Sequence, residues 1–249
     1  MRAQNEISEI EDATKFIAKK QFKDALIPLK AAVSNSPNSF QAWSLLSKCL
    51  FEVGDLTDAV QASQHANGID PLQQSFEHIQ IFVQQQAFAE ASEIANTMLS
   101  EYPNHPKALI TLAHIAAKKN DPETSVALLE LGIKDAPANL TLRNMLSNSY
   151  ASAGYFAKAI KAANLLVDLD ETFESLWTLI GLQLKYGQYE DLLQACSRAQ
   201  AHLNQNASKT SQLELVRGQA LRIIGKRQEA IQALQASLAS NAQNADAWW

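Results

Sequence analysis

Glycine and cysteine are scarce in this chain: 8 and 2 residues among 249. So few cysteines exclude a disulfide-stapled domain and any paired-cysteine metal site. Cys49 and Cys196 fall inside predicted helices among apolar residues and read as small core residues in reducing, cytoplasmic surroundings. Aromatic residues make up only 7% and are scattered. Trp43, Phe51, Tyr150, Phe156, Trp177 and Tyr189 sit where they pack helices, not in a row on which bases stack. Basic excess is absent too. The net charge is −5, so no overall positive field draws the chain to nucleic acid or to an anionic membrane. No run approaches the roughly 20 apolar residues of a membrane span. The opening MRAQNEISEIEDATKFIAKK has no apolar core of a secretory signal.

Chemistry-bearing patterns are missing as well. His65, His78, His105, His114 and His202 never fall three or four apart and share no local ligand spacing with one another or with a cysteine, so no metal site is expected. There is no G-x-S-x-G, no P-loop and no G-x-G-x-x-G, hence no expected catalytic residue or cofactor. The acidic groups Glu9-Glu11-Asp12 and Glu190-Asp191 read as solvated helix surface.

What the chain does have is 47% hydrophobic residues and a period. Gly54–Ala59, Gly154–Ala159 and Gly225–Ala230 repeat one spacing, and Gly187 has Leu192 in the Ala place. The slot runs through Ala25, Ala59, Ala91, Ser125, Ala159, Leu192 and Ala230, with steps of 34, 32, 34, 34, 33 and 38 residues. A period near 34 is that of a stacked helical repeat. Within 40–73, Trp43, Leu46, Leu50 and Val53 recur at helical spacing. Gly54 supplies a left-handed helix end, and Asp55 or Thr57 caps the next helix. Ala59, Ala62 and Ala66 let two helices approach closely. Pro71 stops the second helix. Pro37, Pro71, Pro103 and Pro137 repeat at steps of 34, 32 and 34.

These residues resemble the tetratricopeptide repeat, W-x2-L-G-x2-Y followed by A-x3-F and P. Trp43, Leu46, Ser47, Leu50, Ala59, Ser63, Ala66 and Pro71 occupy its places. So do Leu146, Ser147, Tyr150, Gly154, Ala159 and Ala163; Trp177, Ile180, Gly181 and Leu184; and Gly218, Leu221, Gly225, Ala230 and Leu234. The resemblance implies an all-α, right-handed superhelical solenoid of antiparallel helix pairs. It forms a single array over 1–249, with units at about 6–39, 40–73, 72–105, 106–139, 140–173, 174–210 and 211–244. Some units depart from the pattern. Glu9 stands where an aromatic is usual, and Pro28 lies within the first unit's second helix. Gln86-Ala87 replaces the usual turn glycine in the third unit. Asn120-Asp121-Pro122-Glu123 forms the turn of the fourth, with Asp as cap and Pro as first helical residue. HLNQNASKTSQ at 202–212 is expected to extend the sixth unit's last helix into a polar loop, or else to break the superhelical register.

In this family first helices line a concave groove that binds peptides. Placing each first helix on the pattern projects Lys48, Gln80, Gln84, Lys107, His114, Lys118, Asn144, Asn148, Thr178, Lys185, Gln219 and Arg222 inward. Ser44, Phe51 and Tyr186 sit nearby, and Glu52 is the one nearby acid. Lysine and arginine there suit a protein or extended peptide carrying carboxylates, and the asparagines suit its backbone. The Lys-x3-Asn start of the family's chaperone-tail clamp is absent; Asn144-x3-Asn148 is only partly similar.

The expected function is therefore a non-enzymatic binding scaffold. Ala247-Trp248 repeats Ala42-Trp43, so residues 245–249 read as the opening of an eighth unit. Trp248 and Trp249 offer an apolar surface for end-to-end self-association. The N-A-D-A-W-W ending resembles the junction at which bacterial repeats of this kind precede a sulfotransferase domain. That likeness implies an alternative role as the positioning arm of a larger enzyme using a phosphoadenosine sulfate donor.

Overall fold

Fourteen helices and no strand form among the described residues of a computed structural model, which describes residues 2–69 and 72–241, with side chains from Ser8 onward apart from those of 73, 74 and 77. Pro71 and the whole 244–249 ending, with Trp248, Trp249 and the eighth unit, lie outside the described residues. The helices are α1 (Arg2–Ala18), α2 (Phe22–Asn35), α3 (Phe40–Val53), α4 (Leu56–Gly68), α5 (Gln73–Gln84), α6 (Phe88–Glu101), α7 (Pro106–Lys118), α8 (Pro122–Asp135), α9 (Leu140–Ser152), α10 (Phe156–Leu169), α11 (Phe173–Lys185), α12 (Tyr189–Gln200), α13 (Ala207–Ile223) and α14 (Arg227–Ser240).

The repeated slots explain why the elements form. Lys20, Gly54, Gln86, Asn120, Gly154, Gly187 and Gly225, each five residues before the small-residue slot, all have φ between +58° and +94°. At six of these turns the amide of the following residue donates to the carbonyl five back, at 2.8 to 3.0 Å. That bond closes the first helix of a pair and turns the chain into the second. Gln86 takes the left-handed place at the turn without glycine. Five residues on, Ala25, Ala59, Ala91, Ser125, Ala159 and Leu192 are fully buried and Ala230 nearly so. Ser125 meets its polar demand by sharing a buried hydrogen bond with Ser149, at 2.8 Å. Side-chain caps start several helices: Ser39, Asp55, Asp121, Asn139 and Asn206 each accept from the amide three residues on.

Two departures resolve locally. α2 runs on through Pro28. The residues after α12 do not lengthen that helix, as the sequence reading expected. α12 stops at Gln200, the chain turns through Asn204 and Gln205 with positive φ, and Asn206 caps a 17-residue α13. The 38-residue step is thus absorbed by a loop and a longer next helix.

The chain divides into two compact units, Met1–Ala153 and Gly154–Trp249. In the first, α1 to α4 pack in sequence, and α5 to α9 do likewise. Phe76, Ile79, Ala91, Ala95, Met98, Ala108 and Ile115 form the core of the second group. In the second unit α10 to α14 pack in sequence, with Leu176, Ile180, Leu192, Leu213 and Leu221 fully buried. This is an all-α repeat solenoid.

Candidate functional site

Within the first unit side chains of α3 reach the residue that precedes α7, and also α8 and α9. Phe40 stacks on His105 at 5.2 Å between ring centres. Lys48 Nζ lies 3.1 Å from Asp135 Oδ1. The Arg143 guanidinium sits 4.9 Å over the Phe51 ring. These contacts join the second helix pair to the fourth and fifth, and the residues of the first two line an open cavity of about 660 Å³. Its walls are the first half of α3, the connection from Glu101 to Pro106, and the α8 end at Asp135-Ala136.

Local sequence builds each wall. Asn104 adopts φ +63° after Pro103, which turns its side chain to donate 2.6 Å to Asp135 Oδ2. Lys48 and Asn104 therefore take one Asp135 oxygen each. His105 is buried among three rings: Phe40, Phe76 at 5.5 Å, and Tyr102 edge-on at 6.3 Å. Tyr102 keeps 39% of its surface exposed. The cavity thus offers an aromatic wall, a neutralised Lys–Asp–Asn cluster, and the rim carboxylate of Glu101.

Of the twelve residues placed on an inner groove by the repeat pattern, Lys48 lines this cavity. Lys107 lies beside it, with Nζ 5.2 Å over the Phe76 ring. Asn144 and Asn148 are exposed, and Asn148 donates to Asn144 Oδ1 at 3.4 Å. Asn148 lines a separate cavity of about 220 Å³ with Asn120, Pro122 and Met145. Gln80, Gln84 and Lys118 are exposed and His114 half-buried, away from the large cavity. In the second unit Thr178 donates to the Glu174 carbonyl, Lys185 lies 5.7 Å from the Tyr186 ring, Gln219 is half-buried and Arg222 is exposed. One expectation needs correction. Glu52 is not the only acid near the predicted cations, because the fold brings Asp135 onto Lys48 across 87 residues.

Sequence reasoning missed Phe40, Tyr102, Asn104, His105 and Asp135. For Tyr102, Asn104 and His105 the signal was the run Tyr-Pro-Asn-His-Pro at 102–106, read only as a helix stop; Phe40 and Asp135 carried no local signal. Arg143 was missed too. It stands one hundred residues after Trp43, at the same repeat place. Trp43 Nε1 donates to the Pro37 carbonyl at 2.8 Å, and Arg143 Nε to that of Pro137. Burial pulls the Arg143 pKa down to about 10. Burial also lifts the Cys49 thiol to about 11 and the Cys196 thiol to about 12, so both are protonated core groups at neutral pH. Among the described residues no group of His, Cys, Asp and Glu could hold a metal ion, and no helix is long and apolar enough to cross a membrane.

Left-handed turns, buried small slots and sequential helix pairing define a helix-pair repeat protein. The family model for the tetratricopeptide repeat matches residues 82–146. No curated protein matches the chain. Solved structures match it in fold. MamA superposes with a TM-score of 0.59 at 15% identity, over 66% of this chain and 94% of its own. The C-terminal part of a TPR repeat-containing protein from Cytophaga hutchinsonii gives 0.56 at 10% identity, over 96% and 98%. YrrB, described as a TPR protein with an unusual peptide-binding site, gives 0.50 at 12%, over 88% and 95%. The family model thus marks a tetratricopeptide repeat at 82–146, and the solved structures show a fold of that kind along the chain.

Proposed function

We propose that this chain is a non-enzymatic scaffold, a single array of helix pairs whose first unit binds an extended peptide of a partner protein. The observation that carries the reading is the 660 Å³ cavity with its Phe40–His105–Tyr102 wall. Its volume suits one or two side chains of an inserted segment, within the roughly 300–1,000 Å³ of ordinary ligand sites. The aromatic wall favours an apolar anchor. Glu101 and Asp135 outnumber Lys48 among the charged lining residues, so a neutral or basic neighbour fits better than the acidic segment that the predicted inner-face cations had pointed to. A peptide-binding site is described for the fold relative YrrB, and the buried thiols fit a reducing compartment such as the cytoplasm. The sulfotransferase-arm alternative draws on residues 244–249 and gains no support from the described residues.

Peptides selected from a random display library on the full chain should share an apolar anchor. Tyr102→Ala should weaken them about tenfold, roughly 1.4 kcal/mol, while the unfolding midpoint stays put because Tyr102 is part-exposed. Selected peptides that bind Tyr102→Ala unchanged, or selection that yields no binder, would sink the reading.

A further inference from the structure

The second unit holds a buried polar group that the fold leaves unsatisfied. Gln183 on α11 is 5% exposed, and its Oε1 is buried with no hydrogen-bond partner. Its backbone is accounted for, since its carbonyl accepts from Gln188 N at 2.9 Å in the α11–α12 turn. A buried acceptor without a donor is rare in native proteins and points to an absent partner. Gln183 lies in the wall of a crevice of about 270 Å³ between α10, α11 and α12, with Asn164, Gln188, Gln194, Asp191 and Arg198 around it. Arg198 is committed to Glu171, 2.6 Å from Nη2 to Oε2. What faces the crevice is therefore a set of four side-chain amides and one carboxylate over an apolar floor of Leu179 and Ala195. Gln183 stands two residues from Lys185, about 200° around the helix. The crevice thus opens on a different face of α11 from the predicted groove.

We propose that this crevice binds a short extended stretch of polypeptide through its backbone. A side-chain amide carries one acceptor and a donor pair, and a peptide group presents the complementary pair. A set of such amides therefore matches the alternating N–H and C=O groups of an extended chain, whatever its side chains. The missing donor for Gln183 Oε1 is a backbone N–H of that chain. The crevice volume is below the usual range for a drug-sized ligand, about 300–1,000 Å³, which fits a few residues of main chain and not a bulky cofactor. This site is independent of the cavity in the first unit.

The test uses the 15N-labelled full chain and acetyl-tetra-alanine dimethylamide as probe, with its backbone N-methylated counterpart as control. Saturable shifts of the Gln183, Asn164 and Gln194 side-chain amide resonances are expected with the first peptide. With the second, which has no N–H to donate, they are expected to vanish. Gln183→Leu removes the orphaned oxygen, so it should abolish the shifts while keeping or raising the melting temperature. Exposed Asn164→Ala should weaken binding severalfold with the fold intact. Equal shifts with the N-methylated peptide, no saturable shift at millimolar peptide (a crevice holding water alone), or binding that survives both substitutions would overturn the proposal. So would a Gln183→Leu chain that melts at lower temperature while Asn164→Ala binds normally.

Discussion

Replacing Gly54 by Ala should destabilise the first unit, and replacing Gln86 by Gly should stabilise it. The two residues fill the same turn slot, with φ +94° and +59°. A Cβ built on Gly54 meets nothing within 4 Å, so no steric clash enters. What remains is the backbone. An L-residue in the left-handed region costs about 1–2 kcal/mol, and the stiffer unfolded chain of Ala returns about 0.4–1 kcal/mol of that. The net loss for Gly54→Ala is about 1 kcal/mol, and Gln86→Gly gains somewhat less by the same bookkeeping. Both sites lie in Met1–Ala153 and so report on one unit. With a urea slope of about 1–3 kcal/mol/M, the midpoints should move in opposite directions by roughly 0.3–1 M. Far-UV circular dichroism with a refolding control reads this directly. Gly181→Ala, inside helix α11 with equally open space, is the contrast. There the same atoms are added at helical φ, and stability should rise by about 0.5–1 kcal/mol. A Gln86→Gly chain with a lowered midpoint, or Gly54→Ala and Gly181→Ala shifting alike, would refute the role given to the turn slot.

The buried slot five residues on predicts two different failures. Ala59→Leu should lower stability by about 1–3 kcal/mol by forcing α3 and α4 apart, and Leu192→Ala should cost about 2–5 kcal/mol by leaving a void; thermal melts of both variants check this. For Arg143 the unfolded chain releases its proton at the ordinary guanidinium value, whereas the folded chain releases it at a lower one, near pH 10. The unfolded state binds more protons between those values, so stability should rise with pH across that window and show no Arg143 contribution to its slope below it. Arg143→Met removes that burial cost, about 3 kcal/mol, along with the bond to Pro137 and the Phe51 contact. It should stay within about 1 kcal/mol of the parent at pH 7, and a loss beyond 3 kcal/mol in urea titration would contradict the account. Cys49 and Cys196, both fully buried, should resist a thiol reagent at pH 8 until urea opens the fold, and prompt labelling would place them outside the core.

The helix pairs were legible because they are local. A turn residue, a small residue five places on and an apolar face at helical spacing all act within some 34 residues, and they recur. Where the turn glycine is missing, the structure shows that the slot constrains the backbone and not the residue type: Lys20, Gln86 and Asn120 all adopt it. The inner-groove residues were placed by the same local rule, and the rule orients each side chain on its own helix without saying what stands opposite. Lys48 was read as a free cation because Asp135 is 87 positions away. Gln183 escaped notice because no local pattern reveals an unmet hydrogen bond.

Trp43 and Arg143 show how far a repeat can drift while keeping its mechanics. Both donate a side-chain N–H to the carbonyl of the proline six residues earlier, which pins the incoming chain to the first turn of the helix. The indole does so without charge and stacks on His65 at 4.6 Å. The guanidinium does so buried, and a buried cation needs a partner beyond one carbonyl. The Phe51 ring supplies it, from a helix pair three units away. The substitution that looks like a lost consensus residue thus creates a long-range contact that a regular repeat lacks. That contact, with Lys48–Asp135 and Phe40–His105, joins the second helix pair to the fourth and fifth, and the last two pairs of residues line the cavity between them. Function in such an array is therefore to be sought at the departures from the period, because those are the places where distant helix pairs meet.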